Sequence, residues 1–276
     1  MLTKIPAKII LCLLIIPKAN HALAAAGLRS GGFFIMTNKN VTYLIDGFNL
    51  YHSIRRAQKE LRASTKWLDI RALCESRLQN IRTVVGCPVD LESIYYFSAY
   101  AYHLKDPSIV QRHKSFVECL EDAGIKVEIN RFKYKELQCP FCRRVVVKHE
   151  EKETDVSIAL KLIEVFLEDE CDIVVLMSGD TDLAPAVRMA KKLYPAKHIL
   201  FDFPAYRKNK ELANLCPGST VINAKQYRKY QFSDPCILQS GFYPPPDLLP
   251  EGEGVKWRIK AMILGVKKKH YRRIGQ

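Results

Sequence analysis

Three short stretches of the chain place carboxylates where chemistry could use them: Ile45-Asp46-Gly47-Phe48-Asn49, Thr154-Asp155-Val156 and Ser178-Gly179-Asp180-Thr181-Asp182. Asp46 and the Asp180/Asp182 pair each follow directly on an apolar run of strand type, and in an open parallel sheet ligands bind just beyond such carboxyl ends. Each stretch also has an ordinary structural explanation. Asp46 could cap the helix that follows Gly47. Asp155 could be one of the acids that favour a first helical turn, with Thr154 as the cap, and the dipole of the next helix could steady Asp180. Capping needs only one acid of the 180–182 pair, however, and the second adds like-charge repulsion that a bound cation would relieve. Together, Asp46, Asp155, Asp180 and Asp182 would make an oxygen-rich site suited to Mg²⁺ or Mn²⁺ rather than to zinc. Cations so held serve phosphoryl chemistry, neutralising charge at a scissile phosphate and activating water beside it.

Rival chemistries lack their residues. No G-x-G-x-x-G follows the first strand and no G-x-x-x-x-G-K-[ST] loop is present, which argues against a nucleotide cofactor. The nucleophile elbow G-x-S-x-G is absent. An aspartyl-phosphate enzyme would carry a second acid two residues after Asp46, where Phe48 stands.

The acids can meet only if the elements between them fold as alternating strands and helices. The pattern predicts strands at 41–45, 94–97 (within 91–102), 125–132, 173–177, 198–203 and 220–222, and helices at 50–61, 68–81, 108–123 and 183–193. Pro185 is tolerable in the first turn of the last of these, and Gly124 stops the third. A further helix is read from the apolar stripe Val156, Leu160, Ile163 and Leu167. Residues 133–153 break the rhythm as a hairpin excursion. The result is an α/β fold whose central, mostly parallel sheet of five or six strands is covered on both faces. Residues 36–235 read as the folded domain, 236–276 as a Pro/Gly linker (Tyr243-Pro-Pro-Pro-Asp247, Glu251-Gly-Glu-Gly254) and a basic tail, and 1–35 as an N-terminal extension.

The formal net charge of +14 is unevenly spread. Residues 1–35 carry four basic side chains and 256–276 carry eight, neither with an acid, so residues 36–255 keep only +2. Nine scattered cysteines suit a reducing, cytoplasmic setting. The basic start, the apolar run 9–16 and Ala22 to Ala26 imitate an export signal. That run is too short to span a bilayer, and Met36, a second start-like residue, stands just ahead of the first strand, so 1–35 is read as lying upstream of the fold, with export as the alternative. Cys139 and Cys142 have the spacing of a zinc knuckle with His149 as nearest partner, although no second C-x-x-C exists; two free thiols in a hairpin are the alternative to structural Zn²⁺. Arg55, Arg56, Arg131, Lys133, Arg143, Arg144, Arg207 and Lys208 interleave with Tyr51, Phe132, Tyr134 and Tyr206, as a groove for RNA requires, although solvated helix faces look alike. A homo-oligomer is left open.

In order and spacing, Ile45-Asp46-Gly47-Phe48-Asn49-Leu50-Tyr51, Glu151-Lys152-Glu153-Thr154-Asp155-Val156 with Ile158-Ala159-Leu160, and Ser178-Gly179-Asp180-Thr181-Asp182-Leu183 resemble the NYN-domain family of PIN-like nucleases, in its bacterial branch. The resemblance implies a PIN-like three-layer sandwich, dependence on divalent metal and endonucleolytic cleavage of RNA. It implies metal-ligand roles for Asp46, Asp155, Asp180 and Asp182, an orienting role for Asn49, and a part for Ser178 in positioning water or metal. The terminal segments have no counterpart in the family pattern. Two rivals stand beside this expectation: a non-catalytic RNA-binding or regulatory module, and a nuclease acting on DNA, because activated water does not itself choose the sugar.

Overall fold

The computed structural model describes residues 38–104, 106–138, 141–233, 236–238 and 241–243. The extension at 1–35, Cys139 and residues 244–276 of the linker and basic tail lie outside the described residues, while 236–238 and 241–243, read as linker, pair as a short hairpin. Elements run in the order β1 (Lys39–Asp46), α1 (Gly47–Leu61), α2 (Ile70–Val85), β2 (Val89–Ala99), α3 (Pro107–Asp122), β3 (Lys126–Gln138), β4 (Val145–Lys152), α4 (Thr154–Leu167), β5 (Ile173–Met177), a 3-10 turn (Thr181–Leu183) leading into α5 (Ala184–Leu193), β6 (His198–Phe203), α6 (Lys210–Leu215), β7 (Thr220–Val221), α7 (Ala224–Lys229) and the hairpin β8 (Cys236–Leu238) and β9 (Gly241–Tyr243).

Seven strands form the main sheet in the order β4-β3-β2-β1-β5-β6-β7. The six other than β4 run parallel, as their apolar runs predict, and β4 is the antiparallel return of the 133–153 hairpin, paired from Arg131↔Lys152 out to Gln138↔Val145. The excursion therefore extends the sheet, with β3 running six residues past the expected end at 132.

Strand order determines where a ligand can enter. From β1 the chain winds outward through β2 and β3, then returns to lay β5 on the other side of β1, with Ile45 opposite Met177. The order reverses between β1 and β5, and the crevice beyond the carboxyl ends at such a reversal is where open α/β sheets take ligands.

Alternation along β1 feeds two cores. Val41, Tyr43 and Ile45 face one side with Leu50, Ile54 and Ala57 of α1, Leu73 of α2 and Tyr227 of α7. Leu44 faces the other with Ile158, Leu162, Val165 and Phe166 of α4, Val187 and Ala190 of α5, and Leu212 of α6. Helices thus cover both faces and make three layers. Of the apolar stripe read for α4, Val156, Leu160 and Leu167 are 62%, 65% and 63% exposed, and Ile163 packs partly buried against the second core. This helix is apolar nearly all round, so spacing of three and four fits Ile158, Leu162 and Val165 equally well, and periodicity cannot choose between the faces. No helix among the described residues is long and apolar enough to cross a membrane.

Candidate active site

Asp46 ends β1 and is buried, 3% exposed. It serves as the N-cap of α1, the ordinary role foreseen for it: its Oδ1 accepts the Asn49 backbone N–H at 2.9 Å. The second oxygen does something else, accepting from Asn49 Nδ2 at 2.9 Å and from Ser178 Oγ at 2.8 Å. Ser178, one residue past β5, also accepts the Asp180 amide at 3.1 Å, so one hydroxyl ties the two strand tips together. Asn49 extends the tie, its Oδ1 accepting from the Gly179 amide at 3.2 Å and from Arg207 Nε at 2.9 Å.

Glycine is required twice here for close approach. A Cβ on Gly47 would lie 2.5 Å from the Phe97 carbonyl oxygen and 2.7 Å from the Tyr96 ring. A Cβ on Gly179 would lie 2.2 Å from the Arg207 carbonyl oxygen. The β1–α1 and post-β5 turns can reach the crevice because neither bears a side chain at these points.

Asp180 caps the 3-10 turn, accepting the Asp182 amide at 3.0 Å. Asp155 lies in the first turn of α4, half-buried, its carboxylate without a hydrogen bond among the described residues. Its proton affinity shows which residues surround it. Burial first, then the charges of Asp180, Asp46 and Asp182, push it from the usual carboxylate range up to about 6, and every named influence acts in the same direction. Burial likewise raises Asp46, with Asp180 adding to the effect, against hydrogen bonds from Asn49 and Ser178 that lower it. The four acids from three separated segments therefore sense one another across the crevice.

As they stand, no three carboxylate, imidazole or thiol groups among the described residues are gathered closely enough to chelate a metal. The donor set fits a hard divalent cation, since it offers carboxylate oxygens and no nearby cation offsets the charge on Asp155.

One residue near Asp155, Asn130, was not evident from the sequence. Asn130 on β3 donates from Nδ2 to Thr154 Oγ1 at 3.2 Å and accepts from Ser157 Oγ at 3.2 Å, which fixes the start of α4. Thr154, the expected cap, is the first helical residue; the cap position belongs to Glu153, which has φ 81° and makes no capping bond with its side chain. Asn130 stands where the parallel pairing of β3 with β2 ends, inside an alternating stretch that gives no sequence signal for it.

The basic residues divide into groups. Arg131 holds Glu153 with bonds as short as 2.6 Å, and Lys133 lies 3.6 Å from the same carboxylate, so both already have an acid partner. Arg143 and Arg144 are exposed in the turn between β3 and β4, roughly 20–25 Å along the strands from Arg131, and do not join the acids. Arg55 lies over the Tyr51 ring at 5.7 Å and Arg56 over Tyr206 at 4.5 Å. Of the predicted basic set, Arg207 is the one bonded into the acid crevice. Cys142 is an exposed free thiol; its zinc-knuckle partner Cys139 and the His149 side chain lie outside what is described.

Two solved structures are similar in part. A protein of unknown function from Vibrio parahaemolyticus is 18% identical, with a TM-score of 0.42 over 67% of this chain and 94% of its own. A deacetylase–teicoplanin complex of the teicoplanin biosynthesis pathway is 10% identical, with a TM-score of 0.26 over 56% of this chain and 67% of its own. No curated protein matches. The family model described as the NYN domain matches residues 40–223, spanning Asp46, Asn49, Asp155, Ser178, Asp180 and Asp182. The chain belongs to the NYN domain family, within the PIN-like nuclease superfamily.

Proposed function

We propose that the chain is a divalent-metal-dependent endoribonuclease, a hydrolase that cuts RNA phosphodiester bonds at the crevice of Asp46, Asp155, Asp180 and Asp182. The observation that carries this reading is Asp155, pushed up to about 6 by burial and by three acids that reach it from elsewhere in the sequence. Uncompensated carboxylates in a half-buried crevice cost stability, and such arrangements cluster at functional sites. PIN-like nucleases typically use divalent metals, and bound here Mg²⁺ or Mn²⁺ would supply a Lewis acid for water and charge neutralisation at the phosphate.

The chain's own residues prepare the site. Asn49 and Ser178 fix the orientation of Asp46, and Ser178 at the same time holds the Asp180 turn against β1. Asn130 sets the start of α4 and with it Asp155. The buried free thiols Cys74, Cys171 and Cys216 suit a reducing compartment, and the reading places the enzyme in the cytoplasm.

A second reading, an RNA-binding module without turnover, draws on the absence of three preassembled chelating groups among the described residues. Incubating purified protein with labelled single-stranded RNA, in Mn²⁺ and in EDTA, separates the two. Cleavage that requires the cation and falls at least about a hundredfold in both Asp46→Asn and Asp180→Asn is the expected result. RNA binding without cleavage in any divalent cation supports the module, and full activity in both variants rules out the assigned acids.

A further inference from the structure

Arg207 is exposed and bonded to Asn49, the residue that also holds Asp46, yet it forms an ion pair with none of the four acids. Its Nε donates to Asn49 Oδ1 at 2.9 Å, and its two terminal nitrogens make no hydrogen bond or ion pair among the described residues. Asn49 separates the charges: its amide nitrogen serves Asp46 while its amide oxygen holds Arg207. An electronegative crevice and an open guanidinium fork thus lie side by side, one amide apart.

The loop that presents Arg207 is strained and tightly held. Tyr206, just before it, has φ 64°, a left-handed conformation uncommon for a bulky residue. The Ala205 amide donates to Tyr227 Oη at 3.0 Å, the Ala205 carbonyl accepts from Ser53 Oγ at 2.7 Å, and the Arg207 amide donates to the Pro204 carbonyl at 2.9 Å. Arg56 covers the Tyr206 ring, and Gly179 lies close beneath the Arg207 carbonyl. Backbone strain held in place by so many contacts is typical of ligand-binding positions. Tyr51, two residues after Asn49 on α1, is 46% exposed, with Arg55 5.7 Å over its ring.

We propose that Arg207 is a phosphate-binding residue of the substrate groove, its terminal nitrogens gripping a phosphodiester of single-stranded RNA next to the one presented to the acids; this rests on the nuclease reading. A guanidinium fixed at Nε keeps a planar pair of donors for phosphate oxygens, which lysine cannot reproduce. The acids then take the cation and Arg207 takes the neighbouring negative charge of the strand. Arg131 and Lys133, paired with Glu153, are less available for that role.

Fluorescence anisotropy of the full-length protein with a short labelled single-stranded RNA in EDTA, across a salt series, tests this apart from activity. Arg207→Gln is expected to weaken binding about tenfold and to reduce the slope of log affinity against log salt by about 0.7, the value of one phosphate contact on a single strand. Arg207→Lys keeps the charge but loses the bond to Asn49, so it should keep the slope and, in Mn²⁺, lower kcat more than it raises KM. Circular dichroism melting of both variants confirms that they fold. An unchanged slope in Arg207→Gln overturns the phosphate contact while leaving the nuclease reading intact. A wild-type protein that neither binds nor cuts RNA in any divalent cation overturns both.

Discussion

Asp46 and Asp155 face the same crevice and are held in opposite ways. Asp46 has both oxygens engaged by Asn49 and Ser178, so its direction is fixed before any cation arrives. Asp155 has no such bonds, and burial first, then three neighbouring acids, push its proton affinity up to about 6. A carboxyl whose folded-state value is raised binds its proton more tightly in the folded protein than in the unfolded chain. It therefore favours folding at low pH, and that support is lost as pH rises from about 4 through about 6. Asp155→Asn removes a charge that is unfavourable at neutral pH. After discounting for solvent screening, the metal-free variant should gain about 1 kcal/mol and melt about 2–4 °C higher than wild type at neutral pH, the difference vanishing below about pH 4. Thermal melts in EDTA at several pH values check this, and a variant that melts lower at neutral pH would contradict the crowding of acids around Asp155.

At the level of elements, the turns that bring the acids together depend on absent side chains. Gly179→Ala would force a Cβ to 2.2 Å from the Arg207 carbonyl oxygen, a backbone atom that cannot rotate away. The β6–α6 loop must then shift, and we expect a stability loss of about 1–3 kcal/mol and at least about a tenfold fall in kcat/KM. Urea unfolding and cleavage kinetics measure the two separately; wild-type values in both would show that the close approach is unimportant. β1, β5, β6 and the second half of β2 were legible in the sequence because they are short apolar runs buried on both faces, and Asp46, Asp180 and Asp182 because they stand just past such runs. The buried side of α4 was not legible, since Val156-Leu160 and Ile158-Leu162 repeat with the same period and only the packing of α4 onto β1 and β2 chooses between them. The short helices α6 and α7 passed unseen because six residues hold too little periodicity, although Asn209 and Asn223 cap them. The bonds from Asn49 to Arg207 and from Asn130 to α4 join residues far apart in the chain, and no local pattern announces them.

Across the whole molecule, net charge is a poor guide and its arrangement a better one. Twelve of the excess positive charges lie in residues 1–35 and 256–276, so the folded region is nearly balanced. Within that balance Asp46, Asp180 and Asp182 follow the two strands at the reversal of strand order, Asp155 opens α4, and Arg207 is bonded to Asn49, which also holds Asp46. Calorimetric titration of Mn²⁺ into the purified, nucleic-acid-free protein is the most direct test that these acids share a cation. About one or two ions should bind wild type at neutral pH, at least about tenfold more weakly in Asp180→Asn, and more weakly in wild type below about pH 6 as Asp155 takes up its proton. Equal Mn²⁺ affinity in wild type and Asp180→Asn, or no binding to wild type at all, would contradict the shared site.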